Sequence, residues 1–167
     1  MTSQYFGKAA GGLPRRGANH SRTPSPAVPP GVPADPLDAR FTAIRSALAD
    51  LRLRVPGVRG GVLAGVDGLV ITYDLPPGQE PHDLAALAAT TFGLGRQCAL
   101  VLNQHPFREA TLRSERGYFT VYAVDDCSLM AILGGDGLNV ARLHIEAQPT
   151  TRDLVPMLAE LTRGPTA

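Results

Sequence analysis

Val58-Arg59-Gly60-Gly61-Val62-Leu63-Ala64-Gly65-Val66-Asp67-Gly68-Leu69-Val70-Ile71 is the stretch that decides the fold. Gly61 to Val66 is apolar, and Leu69 to Tyr73 is apolar and β-branched, which is the composition of two strands. Asp67-Gly68 lies between them and is the strongest short hairpin signal, because both centres of a two-residue turn require positive φ. Leu75-Pro76-Pro77-Gly78 then breaks the second strand.

Upstream of the hairpin the period changes from two to that of a helix. Leu37, Phe41, Ile44, Leu48 and Leu51 form one apolar stripe, with Asp35 as cap, Pro36 in the first helical position and Pro56-Gly57 as the stop. Downstream, a helix is expected from about His82 to Asn103. Leu84, Leu87, Thr91, Leu94, Cys98 and Val101 make one stripe, and Ala85, Ala89, Phe92 and Ala99 make another, interrupted only by Arg96. A surface helix needs one apolar face, so a helix with two is covered on both sides, by its own sheet or by another subunit.

A meander follows. Phe107 to Arg113, Tyr118 to Val124 and Leu129 to Leu133 read as strands, the last a short continuous apolar run expected to be central and buried. Gly134-Gly135-Asp136-Gly137 ends it. Leu138, Ala141 and Ile145 suggest a short helix, interrupted by Pro149, and Thr150 or Thr151 caps an additional C-terminal helix through Leu154, Met157, Leu158 and Leu161. The fold class is therefore α/β, in the order α-ββ-α-βββ-α. The expected organisation is a disordered tail over 1–36, a domain over 37–148 and the additional helix over 149–167. Seven of the 15 prolines fall in the tail, which has few large apolar side chains to offset its ordering entropy.

Composition narrows the function. With 44% hydrophobic and 19% charged residues and a formal net charge of +1, the 167-residue chain reads as an ordinary globular domain with no global field toward nucleic acid or membrane. No apolar h-region and no apolar run of spanning length is read, so a cytoplasmic protein with its two cysteines, Cys98 and Cys127, as free thiols is expected. A P-loop needs Gly-Lys-Ser/Thr, yet the one lysine is Lys8 in the tail. The glycines from Gly57 to Gly65 follow a helix and open a hairpin, the reverse of a dinucleotide loop. His20, His82, His105 and His144 are scattered without metal-ligand spacing. No catalytic, cofactor-binding or metal residue is expected, and no cofactor. Asp125-Asp126-Cys127-Ser128 reads as a solvated turn. Arg108, Glu109, Arg113, Glu115 and Arg116 gather on the first meander strand and its turn, either as a charged edge that prevents wrong pairing or as a partner-contact rim.

The hairpin stretch, the small-residue helix, Phe119-Thr120-Val121-Tyr122-Ala123 running into Ser128-Leu129-Met130-Ala131-Ile132-Leu133, and the Leu133-Gly134-Gly135 exit resemble the Roadblock, or dynein light-chain, family over about Leu37 to Ile145. The resemblance implies a five-stranded antiparallel sheet with helices on its faces. It implies a homodimer, or a heterodimer with a paralogue, in which the second helix and the next strand meet their copies; this places Ala85, Ala89, Phe92, Arg96 and Ala99 at the interface and Arg108, Glu109, Arg113 and Arg116 on a contact rim. In the bacterial branch it implies a non-enzymatic regulator or adaptor of a Ras-like small GTPase. The long tail and the extra helix depart from the minimal family pattern. Two other readings are a ligand-binding sensor of similar three-layer shape, poorly supplied by 5% aromatic content, and a weak nucleic-acid binder through the arginine-bearing tail.

Overall fold

The computed structural model describes residues 36–162. The elements in chain order are α1 (Pro36–Arg54), β1 (Val58–Gly65), β2 (Val70–Asp74), α2 (Pro81–Val101), β3 (Glu109–Ser114), β4 (Gly117–Ala123), β5 (Ser128–Gly135) and α3 (Val140–Thr162). The expected Asp35 cap and the tail up to Ala34 lie outside the described residues, while Pro36 is already helical. The strands form one antiparallel sheet in the order β2-β1-β5-β4-β3, which confirms the expected fold class.

Strand alternation sorts the apolar side chains to two faces. Leu63 of β1, Tyr122 of β4, and Met130 and Ile132 of β5 meet α1 and α3 in one core, with Ile44, Leu48, Leu51, Leu143 and Leu154. Val62, Ala64, Val121, Leu129 and Ala131 point the other way and meet α2. β5 lies at the centre of the sheet, between β1 and β4, as its continuous apolar run suggests. Two helices cover one face and a single helix covers the other.

The hairpin forms, but its turn differs from expectation. Gly68 has φ +84°, whereas Asp67 stays out of the left-handed region, so the two-residue turn is not adopted. Instead Gly68 N–H donates to Gly65 C=O and Gly65 N–H to Leu69 C=O. Val66 and Asp67 are the centre of an ordinary turn, and glycine alone takes the left-handed position that follows. Asp67 Oδ1 accepts from Leu69 N–H at 3.0 Å, which stabilises the tip from the side chain.

The expected break at Pro149 is absent. α3 is one helix of 23 residues, with Pro149 and Pro156 inside it. The C-terminal extension is helical as expected but continues α3 and is no separate element. A proline deprives the preceding turn of an N–H donor. Near Pro149 side chains serve the backbone: Thr150 Oγ1 donates to Glu146 C=O and Thr151 Oγ1 to Gln148 C=O. Burial of Leu143, Ala147, Thr150, Leu154 and Leu158 along one face holds the helix through both prolines.

Two features of the buried core generate predictions. Thr72 Oγ1 is buried with no hydrogen-bond partner among the described residues. Thr72→Val removes that unmet group and should raise the unfolding free energy by about 1 kcal/mol; a lower denaturation midpoint would show that the hydroxyl is bonded. Burial, and then the Glu109 charge, push the Tyr122 phenol up from its ordinary value. The folded state therefore favours the neutral phenol. Its contribution is fully present below about pH 10 and is lost as pH rises toward the folded value. Tyr122→Phe should flatten the loss of thermal stability between roughly pH 10 and pH 12 relative to the parent; an equal loss in both proteins over that range would contradict this assignment.

Candidate interaction surface

α2 is built to lie close on the sheet. Pro81 occupies its first turn and Glu80 Oε1 accepts from His82 N–H. At the other end Asn103 takes φ +56°, and Asn103 N–H and Gln104 N–H return to Leu100 and Ala99 carbonyls, which satisfies the last carbonyl groups. Ala85, Ala88, Phe92 and Ala99 face the sheet and are buried. Phe107 reaches under the helix and meets Phe92 edge-on at 5.5 Å between ring centroids. Only a glycine fits above it: a Cβ on Gly95 would stand 2.2 Å from the Phe107 ring.

The small-residue stripe of α2 is largely the face that packs on the chain's own sheet, one of the two covers expected for it. Ala85 and Phe92, expected at an interface, pack in this chain's own core against the sheet, and Ala99 is buried where it lines the groove at the end of α2. Ala89 is half-buried and packs against the same core, and Arg96 is exposed with its guanidinium 5.8 Å from the Phe92 ring centroid. The large side chains point outward. Leu87, Leu94 and Val101 are 57%, 66% and 73% exposed, and their spacing of seven residues sets them in one line along the helix. A charge at Phe92 would disrupt the chain's own core. Relative side-chain size is the signal that finds the inward face, since small residues permit close helix–sheet approach.

The outward stripe runs into β3. Leu94, Cys98 and Leu102 of the α2 end, Leu112 of β3 and Phe107 line a groove of about 760 Å³. Leu112 is half exposed and shares its sheet face with Phe119 and Leu133, its successive neighbours across β4 and β5. β3 is bonded to β4 on one side only, which makes it an edge strand of this sheet. Leucines on α2, an apolar row on the sheet and an open strand edge thus adjoin one another.

The charged rim divides. Arg108 and Arg116 are exposed, and Arg113 packs 5.7 Å from the Tyr118 ring centroid. Glu109 lies on the same sheet face as Arg113, the face covered by α1 and α3, and its Oε1 is 3.1 Å from His144 Nδ1. Among the described residues no group of three His, Cys, Asp or Glu side chains is placed to hold a metal ion. By length and composition alone α2 is long and apolar enough to cross a membrane. Its small-residue face is packed on the sheet, so the remaining apolarity is the outward stripe.

The fold has solved counterparts. It is similar to the Roadblock/LC7 domain from Streptomyces avermitilis, with a TM-score of 0.65 and 23% identity, over 69% of this chain and 97% of that one. It is similar to MglB in a tetrameric arrangement, with a TM-score of 0.67 and 19% identity over 74% and 93%. It is similar to the gliding protein MglB from Thermus thermophilus, with a TM-score of 0.64 and 17% identity over 80% and 99%. At these identities the likeness is one of fold. No curated protein sequence matches the chain. The family model for the Roadblock/LC7 domain matches residues 46–134, from the middle of α1 to the end of β5, and leaves α3 outside. That match spans more than half of the 167 residues, and the chain belongs to the Roadblock/LC7 domain family.

Proposed function

We propose that this chain is a non-catalytic regulator or adaptor that works as a dimer, with itself or with a paralogue, beside a Ras-like small GTPase in the cytoplasm. The observation that carries the dimer is the outward line of Leu87, Leu94 and Val101, of which Leu94 shares a groove with Leu112 of the edge strand β3. Large exposed apolar side chains in a contiguous row mark an interaction surface. A helix with a seven-residue apolar repeat is suited to pack on a second copy of itself, and an edge strand is suited to pair with one. Assembly also fits a protein of the same fold, the MglB described in a tetrameric arrangement. The GTPase reading rests on membership of the Roadblock/LC7 family and on the bacterial branch that the hairpin and meander resemble.

In this reading the partner-contact rim is Arg108, Arg113 and Arg116, with Glu109 turned toward α3. The surface that assembles the dimer and the rim that steers a GTPase share β3 and its turn, so dimerisation and partner binding are coupled through one strand. Electrostatic steering at such a rim acts mainly on the association rate.

Leu94→Glu should raise the dimer dissociation constant at least tenfold, about 1.4 kcal/mol, because it places a charge in the contact. The monomer's stability should change by no more than about 0.5 kcal/mol, since Leu94 is largely exposed. Light scattering across a concentration series checks the first point and chemical denaturation the second; a variant with unchanged mass at every concentration rejects the interface. For the partner, calorimetric titration with a bacterial Ras-like small GTPase, loaded with a GTP analogue or with GDP, should give affinities that differ at least tenfold. Equal affinities, or no binding in either state, would remove the GTPase from the reading.

A further inference from the structure

The face of the sheet opposite α2 carries an open groove of about 660 Å³ where α1 begins and α3 ends. Phe41 from the early turns of α1, Ile71 of β2, and Val155, Leu158 and Leu161 from the last turns of α3 supply its apolar walls. Val155 is 39% exposed, so part of this apolar surface faces solvent. The family model stops short of both helical walls: Phe41 precedes residue 46 and α3 follows residue 134. The groove is therefore walled by the parts of this chain that flank the shared domain.

Two polar features mark one end of it. Alternation along β5 turns Ser128 into the groove, since Leu129 packs toward α2. Ser128 is 7% exposed, and its hydroxyl forms no hydrogen bond among the described residues, whereas its carbonyl accepts from the Val124 and Asp125 N–H groups. A nearly buried hydroxyl without a partner costs free energy until something bonds to it. Beside it the turn between β4 and β5 presents Asp125 and Asp126. Asp125 Oδ1 accepts from Cys127 N–H at 2.9 Å, and neither carboxylate forms an ion pair among the described residues. Arg96 and His105 border the same two aspartates only from a separate groove on the α2 side. Among the described residues, no cationic side chain lines the groove between α1 and α3.

An apolar trough between two helices is the shape that takes a third, as in helix-in-groove recognition. A lysine or arginine at its polar end would donate to the Ser128 hydroxyl and, with charge assistance, to the carboxylates. An acidic segment would leave the hydroxyl short of a donor and add a like charge to the aspartates.

We propose that this groove is a docking site for a basic amphipathic helix of a partner protein, with its apolar side chains between α1 and α3 and a cationic side chain at Ser128 and Asp126. The groove lies across the sheet from the outward stripe of α2, so the proposal goes beyond the dimer and does not rest on it. It gives the chain a second surface that stays available while α2 is covered.

Nuclear magnetic resonance titration of the full chain tests it with two synthetic amphipathic peptides of about 18 residues, long enough for a helix. One is built of leucine and lysine, the other of leucine and glutamate at the same spacing. The leucine–lysine peptide should shift the amides of 125–128 and 155–162. The leucine–glutamate peptide should bind at least about tenfold more weakly, because like charges are brought together. Asp126→Lys should weaken the leucine–lysine peptide about two- to fivefold, the factor an exposed charge pair is worth. Val155→Lys should weaken it at least about tenfold, because the cation enters the apolar wall. Asp126 is exposed on a turn, so its variant keeps the test decisive if Val155→Lys fails to fold. Equal affinity for the two peptides, no binding of either, shifts confined to α2, or an affinity unchanged by Asp126→Lys overturns the proposal. Shifts of the same amides on concentrating the protein alone would make a second copy the occupant. Saturation by octylamine as tight as by the peptide would make it a small cationic ligand. Either of these outcomes also overturns the partner helix.

Discussion

The close contact of one small-residue helix with one face of a five-stranded sheet is the constraint on which the rest depends. α2 approaches through Ala85, Ala88, Gly95 and Ala99, with Phe92 and Phe107 filling the space that remains. Close approach fixes which face of the helix points down. It thereby commits the larger side chains of the same helix, Leu87, Leu94 and Val101, to the outside. A helix with larger inward residues would stand further off the sheet, and its leucines would be spent on the core. The interior requirement and the exterior chemistry are two consequences of one packing choice.

The sheet is covered unequally for the same reason. α1 and α3 share one face, tied by the Arg54 contacts to Glu146 and Thr150, and this side holds the larger part of the apolar core. The other face has α2 alone. Phe119 and Leu133 are only half-buried there, and Leu112 is open beside them. A further layer contributed from outside the chain matches this asymmetry. α3, which lies beyond the part shared with the family model, completes the opposite side and connects it to β3 through His144.

Much of this architecture is legible in the residues. The Asp67-Gly68 hairpin, the amphipathic first helix, the three meander strands and the buried central strand follow from period and turn chemistry. Four points do not. The turn uses Gly68 alone in the left-handed region, because Asp67 is better served by accepting the Leu69 N–H. Pro149 fails to break α3, because tertiary burial of Leu143, Ala147, Leu154 and Leu158 outweighs a local propensity, and threonine hydroxyls serve nearby carbonyls. The doubly apolar nature of α2 is plain in the sequence, yet which face is inward depends on distance to the sheet. Pattern alone is blind to that distance, and alanines expected at an interface in fact lie inward. The Glu109–His144 contact joins residues far apart in the chain and leaves no local signature.

Amide hydrogen exchange of the full chain across a dilution series tests the central claim most directly. The account predicts that the outward amides of β3, over 109–114, and the surface of α2 around Leu94 are protected at high concentration and lose that protection together on dilution, while β5 is unaffected. Protection of β3 that is independent of concentration down to the lowest measurable protein level, accompanied by a monomeric mass, would contradict it.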